Sequence, residues 1–316
     1  MTSISICAAG IDVGRDFLDI AVLPQGRGFR APNAPKGVAV VVDRLIRLGV
    51  TRVVLESIGV YAQRLVRALA DAGFEVGVVD PRRIAALRLA EGKRAKTDRL
   101  DAGLIARFAL IMSDACRPIP SAETLALRAL STRRRQLVEM IAMEKTRLKQ
   151  ALDDDIAASH RLVIAQLTLL RAGLDRDIEA RAKALPGGGE KLALLQSIPG
   201  IGPAVAATLL IDMPELGALG TKQVASLAGL APHPNDSGLR SGARSISGGR
   251  SCVRTALYMA ALSASRAKAG YRREYEAMRA AGKPAKVALI AVARRLAVVA
   301  NAVIRSGQPW TGPPPR

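Results

Sequence analysis

The sequence predicts an α/β domain, a long helical arm and a second, mainly helical domain. Three observations support this fold class. Short apolar runs alternate with helical spacing over residues 4–110, leucine and isoleucine then recur at heptad-like spacing, and helical spacing returns over 193–305. The length of 316 residues is consistent with about two domains. The predicted boundaries are 1–117, 118–192 and 193–308, with a disordered tail over 309–316.

The first domain begins with two strands joined by a turn. Ser5–Asp12 and Phe17–Leu23 are apolar runs separated by Gly14. Helices and strands then alternate, which predicts a mixed sheet with helices on its faces. The further predicted elements are helix Val38–Leu48, strand Arg52–Glu56, helix Val60–Ala72, strand Glu75–Val79, helix Arg82–Leu89 and helix Asp98–Leu110.

The segment after Pro118 and Pro120 predicts two long helices, with a break near Ser159 and His160. The apolar positions with helical or heptad-like spacing are Leu130, Leu137, Ile141, Leu148, Leu152, Ile156, Leu167, Leu170, Leu174 and Ile178. This spacing is typical of a helical hairpin or coiled coil. The spacing is compatible with two roles for these helices: contact with another chain, or packing on the domain to which the arm belongs. A loop over 186–189 ends the arm.

The charge of the chain indicates a nucleic-acid partner. The formal net charge is +20, from 47 Lys and Arg against 27 Asp and Glu. Arg outnumbers Lys by 36 to 11, and its planar guanidinium suits bidentate contacts with phosphate. A genomic bias toward G+C explains the preference for Arg over Lys. It does not explain the uncompensated charge, which favours binding to nucleic acid.

The composition excludes several classes of protein. A hydrophobic content of 49% is too high for a disordered basic tail. The most apolar stretch, Val287–Ile304, contains Arg294 and Arg295 and therefore predicts an amphipathic helix rather than a membrane span. The N-terminus lacks the pattern of a signal peptide. Three widely spaced cysteines and two histidines predict neither a disulfide framework nor a zinc site. We therefore expect a cytoplasmic protein with no membrane partner.

Four acidic residues occupy positions that the predicted fold can bring together. Asp12 and Glu56 end two strands, and Asp98 and Asp101 lie three residues apart on one helix face. Clustered carboxylates repel unless a cation neutralises them, and oxygen-only ligands suit Mg²⁺ or Mn²⁺. Two such ions stabilise the attacking and leaving oxygens of a phosphodiester displacement. The alternatives are a turn cap at Asp12 and a solvated first helical turn at Asp98 and Asp101.

Two further segments predict contacts with phosphate. Lys93, Arg94 and Lys96 come just before the acidic pair, which favours a phosphate-facing role for this part of the chain. Gly200 and Gly202 separate two apolar helical segments in SIPGIGPAVAATLLID. This pattern resembles a helix–hairpin–helix, in which backbone N–H groups of a tight turn hold a DNA phosphate. The alternative is a glycine-rich connection between helices.

The interruption in the last domain is rich in serine and arginine. Its members are Ser237, Ser241, Ser245, Ser247 and Ser251, with Arg240, Arg244, Arg250 and Arg254. A serine among arginines is either a nucleophile toward a phosphodiester, with the arginines stabilising the developing charge, or part of a phosphate-binding loop without chemistry. The residue types alone do not choose between these roles, nor among the serines.

Together these segments resemble the IS110 family of insertion-sequence transposases, which includes the Piv/MooV DNA invertases. The segments that carry the resemblance are GIDVGRDFLDIAVL, LESIGVY, VVDPRRIAALRLAEGKRAKTDRLDAGLIARF, SIPGIGP, and LAGLAP followed by an Asp-Ser-Gly turn. They occur in the family's order and cover nearly the whole chain. The resemblance implies a RuvC-like, RNase H-type fold for the first domain and a transposase domain at the C-terminus.

The resemblance also implies a function, that of a DNA transposase or site-specific recombinase. It assigns a Mg²⁺-binding tetrad to Asp12, Glu56, Asp98 and Asp101, and a nucleophile that forms a covalent phosphoserine to Ser237. Family members assemble as dimers and tetramers through the helical arm, and some use a noncoding guide RNA that pairs with donor and target DNA. The loop after the serine varies in the family, so the resemblance assigns no role to its arginines.

Two alternatives remain open. The first is a RuvC-like metal-dependent nuclease that hydrolyses branched DNA with water. The second is a nucleic-acid-binding scaffold without catalysis.

Overall fold

The computed structural model divides into two compact units, Met1–Pro120 and Ser121–Arg316. The structure describes the backbone of residues 7–56, 59–92, 98–112, 116, 119, 121–233, 236–237, 240–242, 244–267 and 271–312. Within these ranges the side chains at 60, 98, 99, 236, 237, 240 and 241 lie outside the description. The N-terminal unit has an α/β sheet core, and the C-terminal unit is mostly helical, as predicted.

A five-stranded mixed sheet forms the centre of the N-terminal unit. Its strands are β1 (Ala8–Val13), β2 (Phe17–Leu23), β3 (Arg27–Pro32), β4 (Arg52–Glu56) and β5 (Glu75–Val79). Their order is β3-β2-β1-β4-β5, with β1, β4 and β5 parallel and the other two antiparallel to their neighbours. The predicted mixed sheet is confirmed. Strand β3 was not predicted, because this edge strand is mostly exposed and has few apolar residues.

Helices cover both faces of the sheet. They are α1 (Pro35–Arg47), α2 (Gln63–Asp71) after a 3₁₀ turn at Gly59–Ala62, α3 (Pro81–Ala90) and α4 (Asp98–Ile111). Successive strand residues point to opposite faces, so Ile11 of β1 packs in the core beneath α1 and α2. Ala8 of β1 and Val54 of β4 pack instead in the core beneath α3 and α4. Each face of the sheet is therefore buried by its own pair of helices.

Gly10 allows α4 to lie directly on β1. A Cβ atom at Gly10 would lie 2.1 Å from the amide nitrogen of Ala106 and 2.4 Å from the carbonyl oxygen of Ala102. Further along the helix, Nη1 of Arg52 at the start of β4 donates a hydrogen bond of 3.2 Å to the carbonyl of Ala109. Helix α4 therefore runs antiparallel to β1 and β4. Its first turn is directed toward the carboxyl ends of these two strands.

The C-terminal unit begins with two long helices, α5 (Ala122–Gln150) and α6 (Asp154–Ala184). They form an antiparallel hairpin, because Arg134 pairs with Asp175 and Nδ1 of His160 lies 2.6 Å from Oε2 of Glu144. The two long helices predicted for this segment are present. Residues at the base of the hairpin, such as Leu127 and Ile178, belong to the core of the C-terminal unit.

The connection between α5 and α6 differs from the prediction. It lies at 151–153, whereas the sequence predicted a break near Ser159 and His160, which are inside α6. The physical reason is the cap: Oδ1 of Asp153 accepts hydrogen bonds from the backbone N–H groups of Asp155 and Ile156.

The described part of the C-terminal unit also contains six further helices and a ribbon of short strands. The helices are α7 (Gly188–Gln196), α8 (Pro203–Asp212), α9 (Thr221–Leu227), α10 (Ser251–Ala264), α11 (Arg272–Ala280) and α12 (Ala285–Ser306). The strands are β6 (Pro232–His233), β7 (Asp236–Ser237), β8 (Arg240–Ser241) and β9 (Ser245–Ile246). Helices α8, α10 and α12 contribute most of their apolar side chains to one core.

Helix α12 is long and apolar enough to cross a membrane, with a mean hydropathy of 2.0 over its most apolar window, of which 56% is buried. It is the one such helix in the part of the chain that the structure describes. Its Asn301 is buried, accepts a hydrogen bond of 2.9 Å from the amide of Gly217 and donates one of 2.8 Å to the carbonyl of Leu219. These contacts make α12 a core helix of the C-terminal unit.

The start of the predicted disordered tail also differs from expectation. Trp310 packs against the core of the C-terminal unit, and its amide donates a hydrogen bond of 2.8 Å to Oγ of Ser197. A large aromatic side chain buries enough surface to hold the chain in place at this point. Residues 313–316 lie outside the described part of the chain.

Candidate functional site

Asp12 and Glu56 occupy neighbouring positions at the carboxyl ends of two parallel strands. Ile11 of β1 pairs with Leu55 of β4, so extending the register by one residue places Asp12 beside Glu56. Both lie on the face covered by α4, because each is two residues beyond a position on that face, Gly10 and Val54 respectively. Both residues are partly buried. The structure thus brings two of the four predicted acidic residues to one edge of the sheet.

A third carboxylate that the sequence did not single out lies in the same row. Asp19 of β2 pairs directly with Asp12, and Arg30 of β3 pairs directly with Asp19. Arg30 Nη2 lies 2.7 Å from Oδ2 of Asp19, which is 13% exposed. The row across the sheet is therefore three acids followed by an arginine, which neutralises the outermost acid. The signal in the sequence was the spacing of Asp12 and Asp19 around the Gly14 turn, which places them opposite each other in a hairpin.

Asp101 lies on α4, one residue before the turn of the helix that contacts Gly10. Its Oδ1 accepts a hydrogen bond of 2.5 Å from Nη2 of Arg88 on α3, and its side chain is only 8% exposed. A second ion pair of 2.9 Å, between Arg107 and Glu91, links α4 to the end of α3. Sequence reasoning missed Arg88, because nothing in its spacing indicates which acid it meets.

The chemistry of these residues suits a hard divalent cation. Asp12, Glu56 and Asp101 offer only carboxylate oxygens, which are the ligands preferred by Mg²⁺ and Mn²⁺. Among the residues that the structure describes, however, no three His, Cys, Asp or Glu side chains lie close enough to hold a metal. The side chain of Asp98 lies outside the description, as do Lys93, Arg94 and Lys96. The fold therefore aligns the acids at one edge of the sheet, and Asp101 is paired with Arg88.

The second candidate region is a β-ribbon in the C-terminal unit that carries Ser237. Strands β6 and β9 pair antiparallel, with His233 opposite Ser245, and β7 and β8 pair with Ser237 opposite Arg240. Ser237 therefore lies where the ribbon reverses direction. The side chains at 237 and 240 are outside the description. Arg244 is described and exposed.

Arg250 and Arg254 follow the ribbon and make hydrogen bonds within the unit. Both terminal nitrogens of Arg250 lie 2.6 Å from the carboxylate of Glu215, and Nη1 also donates a bond of 2.8 Å to the carbonyl of Asp212. The hydrogen bond with Glu215 raises the pKa of the guanidinium. Nη1 of Arg254 donates to the carbonyls of Gly248 and Gly229, at 2.8 and 3.3 Å. Both arginines, predicted to bind nucleic acid, thus hold the protein's own chain.

The predicted glycine turn lies between α7 and α8. Gly200 has a φ of +88°, and a Cβ there would lie 2.4 Å from the carbonyl of Ala260 on α10. Gly202 is exposed, has open space around it and precedes Pro203, the first residue of α8. The two glycines therefore differ in role: Gly200 permits close packing of the turn on α10, and Gly202 is the exposed N-cap of α8.

Comparison with family models identifies the chain. Residues 9–155 match a model described as a transposase, of the DEDD type of IS110, and residues 192–276 match one described as a transposase of the IS116/IS110/IS902 family. Together the two matches span most of the chain. The protein is therefore an enzyme of the transposase class, which cleaves and rejoins DNA. It belongs to the IS110 family of transposases.

Individual relatives are consistent with this family. The pilin gene-inverting protein of Moraxella bovis is 29% identical over 261 residues, which is 81% of this chain and 81% of that protein. An uncharacterised 43.6 kDa protein of the insertion element IS110 from Streptomyces coelicolor is 31% identical over 192 residues, covering 55% of this chain and 47% of that protein.

Among solved structures, T. thermophilus RuvC in complex with a Holliday junction is 18% identical, with a TM-score of 0.28, over 36% of this chain and 99% of that one.

Proposed function

We propose that this chain is a recombinase that cuts and rejoins DNA with Ser237 as nucleophile, assisted by a RuvC-like acidic site. The observation that carries the proposal is the alignment of Asp12 with Glu56 at adjacent strand ends, on the face toward which the first turn of α4 is directed. The carboxyl ends of adjacent parallel strands are a common location of functional sites in α/β folds, so this placement supports a catalytic role.

The proposed chemistry conserves the phosphodiester bond. The Oγ atom of Ser237 attacks a DNA phosphorus and loses its proton, a bond forms between Oγ and phosphorus, and the bond from phosphorus to the leaving deoxyribose oxygen breaks. The leaving oxygen takes up a proton. In the reverse sense, a deoxyribose hydroxyl of another strand attacks the phosphoserine and releases Ser237. No water is consumed, and no nucleotide cofactor is needed to reseal the strands.

The metal in this proposal is Mg²⁺, with Mn²⁺ as a substitute. Asp12, Glu56, Asp98 and Asp101 would hold it, and it would stabilise negative charge on the oxygens around the reacting phosphorus. Asp12 and Glu56 are suited to this because they lie on adjacent rigid strands. Asp101 accepts a hydrogen bond from Arg88, and it would have to exchange or share this partner to hold the metal.

Several basic and glycine positions are proposed to hold phosphate. They are Lys93, Arg94, Lys96, Gly200, Gly202, Arg240 and Arg244. Their support is the net charge of +20 and, for Gly202, an exposed helix start. The same charge supports a noncoding guide RNA as a second nucleic-acid partner, in the cytoplasm of a bacterium or archaeon. The hydrogen bonds of Arg250 and Arg254 favour a role in holding the ribbon.

The helical hairpin supports assembly with a second copy. Helix α6 exposes apolar residues in two rows with a spacing of seven: Leu162 and Leu169, and Ile156, Val163 and Leu170. Heptad spacing on an exposed face is typical of a helix that packs against another helix. We propose that this face joins two protomers into a dimer, from which a tetramer is built.

The proposal is tested by recombination of supercoiled DNA with Mg²⁺ and the RNA encoded beside the gene. Wild type should form a protein–DNA adduct that survives denaturation, and Ser237→Ala should form none while still binding DNA. Asp12→Asn should reduce the rate of adduct formation by orders of magnitude at unchanged DNA affinity. Hydrolysed DNA without an adduct would instead favour the nuclease. DNA binding without cleavage, unchanged by Asp12→Asn, would favour the scaffold.

A further inference from the structure

The position of Ser237 depends on how its ribbon is joined to the rest of the C-terminal unit. Among the described residues of the ribbon, each of the two ladders consists of two residue pairs. Two-stranded hairpins are marginally stable in water even when longer. The contacts that join the ribbon to the helical core lie at the end of α9 and the start of α10.

At that junction two glycine backbones lie in contact. A Cβ atom at Gly249 would lie 2.2 Å from the amide nitrogen of Gly229 and 2.7 Å from the carbonyl oxygen of Ser226. Both glycines have positive φ, +68° at Gly229 and +61° at Gly249. The chain entering the ribbon and the chain leaving it thus approach more closely than any side chain permits. The amide of Arg250 adds a hydrogen bond of 2.8 Å to the carbonyl of Leu227.

Arg254 ties the two chains together from a rigid element. It lies in the first turn of α10, next to Val253, which is fully buried. Its Nη1 donates to the carbonyl of Gly229 on the entering chain and to that of Gly248 on the leaving chain. Through these hydrogen bonds, one side chain of the helical core holds both ends of the ribbon.

We propose that Arg254 is a positioning residue for Ser237, and that Arg254 and the contact between Gly229 and Gly249 form a clamp that orients the ribbon for attack on DNA. This inference rests on the proposed role of Ser237 as nucleophile. It differs from a DNA-binding role for Arg254, because a clamp acts on the rate of reaction in the bound complex rather than on affinity.

The first test compares alanine variants of two glycines. Both glycines have a positive φ, so alanine strains the backbone in both variants. Gly249→Ala meets the backbone of Gly229, whereas Gly248→Ala, with a φ of +65°, meets nothing within 4 Å. Trypsin cleavage after Arg240 and Arg244, measured without DNA, should be several times faster in Gly249→Ala than in Gly248→Ala. Equal cleavage rates in the two variants would overturn the clamp. Since no DNA is present, this result is independent of whether Ser237 is the nucleophile.

The second test separates positioning from binding with Arg254→Met and Arg254→Lys. In single-turnover adduct formation over a range of DNA concentrations, Arg254→Met should lower the maximal rate by about 10- to 100-fold at an unchanged half-saturating concentration. Arg254→Lys should recover part of the rate, because one ammonium can still donate to a carbonyl. Arg266→Met, which removes a charge just after α10, is the control and should match wild type.

An effect of Arg254→Met on DNA affinity rather than on the maximal rate would overturn the proposal. If Arg254→Met raises the half-saturating DNA concentration and reduces the salt dependence at an unchanged maximal rate, Arg254 is a DNA ligand. If Ser237→Ala still forms the adduct, the proposed nucleophile is wrong, and the trypsin comparison alone decides whether the clamp exists.

Discussion

Arg88 donates a hydrogen bond of 2.5 Å to the buried carboxylate of Asp101, one of the acids proposed to bind metal. A charge-assisted bond of this length holds the carboxylate in one orientation. Arg88 thus supplies a positive charge to this buried carboxylate. We therefore expect the proposed cation binding at this edge of the sheet to be linked to the contact between α3 and α4.

This link predicts a changed response to Mg²⁺ when Arg88 is removed. Arg88→Met should lower the free energy of unfolding by about 1–3 kcal/mol, because it leaves the Asp101 carboxylate without its donor. Added Mg²⁺ should then raise the melting temperature more in the variant than in wild type, since the ion replaces the missing charge. Thermal unfolding with and without Mg²⁺ measures both effects.

The control breaks a matched ion pair between α4 and the end of α3. Arg107→Met removes the 2.9 Å contact with Glu91, and its response to Mg²⁺ should equal that of wild type. An identical response to Mg²⁺ in Arg88→Met and Arg107→Met would show that Arg88 is unconnected with cation binding.

The contact between Gly10 and α4 predicts a large penalty for one methyl group. Gly10→Ala places a Cβ 2.1 Å from backbone that cannot move without the helix, so we expect a loss of at least about 1–3 kcal/mol. Gly103→Ala, inside α4 with nothing within 4 Å of its Cβ, should instead gain about 0.5–1 kcal/mol. Urea unfolding of the two variants distinguishes these outcomes. A tolerated Gly10→Ala would mean that α4 does not lie on β1 as described.

The exposed rows on α6 predict a dependence of assembly on two leucines. Leu162 and Leu169 are 64% and 66% exposed and lie seven residues apart. Replacing both with Glu should lower the measured mass from an oligomer to a monomer in light scattering after size exclusion. Leu152→Glu, at a fully exposed position between the two helices, is the control and should keep the wild-type mass. A double variant that remains oligomeric would place the interface elsewhere.

Burial of Tyr271 predicts a loss of stability at high pH. The side chain is 2% exposed, and desolvation raises its pKa from 10.0 to about 12. The pKa of Tyr271 is higher in the folded protein than in the unfolded chain. The free energy of unfolding is therefore at its full value below pH 10 and falls as the pH rises toward 12. Relative to Tyr271→Phe, wild type should lose up to about 2–3 kcal/mol over that range. Parallel stability curves for the two proteins would contradict this.

The elements that the sequence predicted well are those whose burial follows a simple period. Strand β2 has the predicted bounds because alternate residues, such as Leu18 and Ile20, enter the core. Helix α1 begins three residues before its predicted start, at Pro35, because proline fits the first turn of a helix. The break between α5 and α6 was misplaced because apolar spacing continues through it, and Asp153 was the overlooked signal.

The sequence likewise predicted some features of the candidate site and not others. Asp12 and Glu56 were predictable, because the carboxyl ends of parallel strands meet at one edge of a sheet. The pairing of Asp101 with Arg88 was not, because it depends on how far α3 and α4 rotate against each other. The hydrogen bonds of Arg254 were also hidden, since a basic residue near a serine-rich loop fits a phosphate contact equally well.

The clamp at the base of the ribbon has a consequence for engineering. The residues that close it, Gly229, Gly249 and Arg254, lie outside the ribbon, and no residue of the ribbon that the structure describes belongs to the apolar core of the C-terminal unit. Randomising the tip around Arg240 and Arg244 should therefore leave folding almost untouched. Libraries built there would search for new DNA preferences on a scaffold of constant stability, whereas the same effort spent on the three closing residues would yield mainly inactive protein.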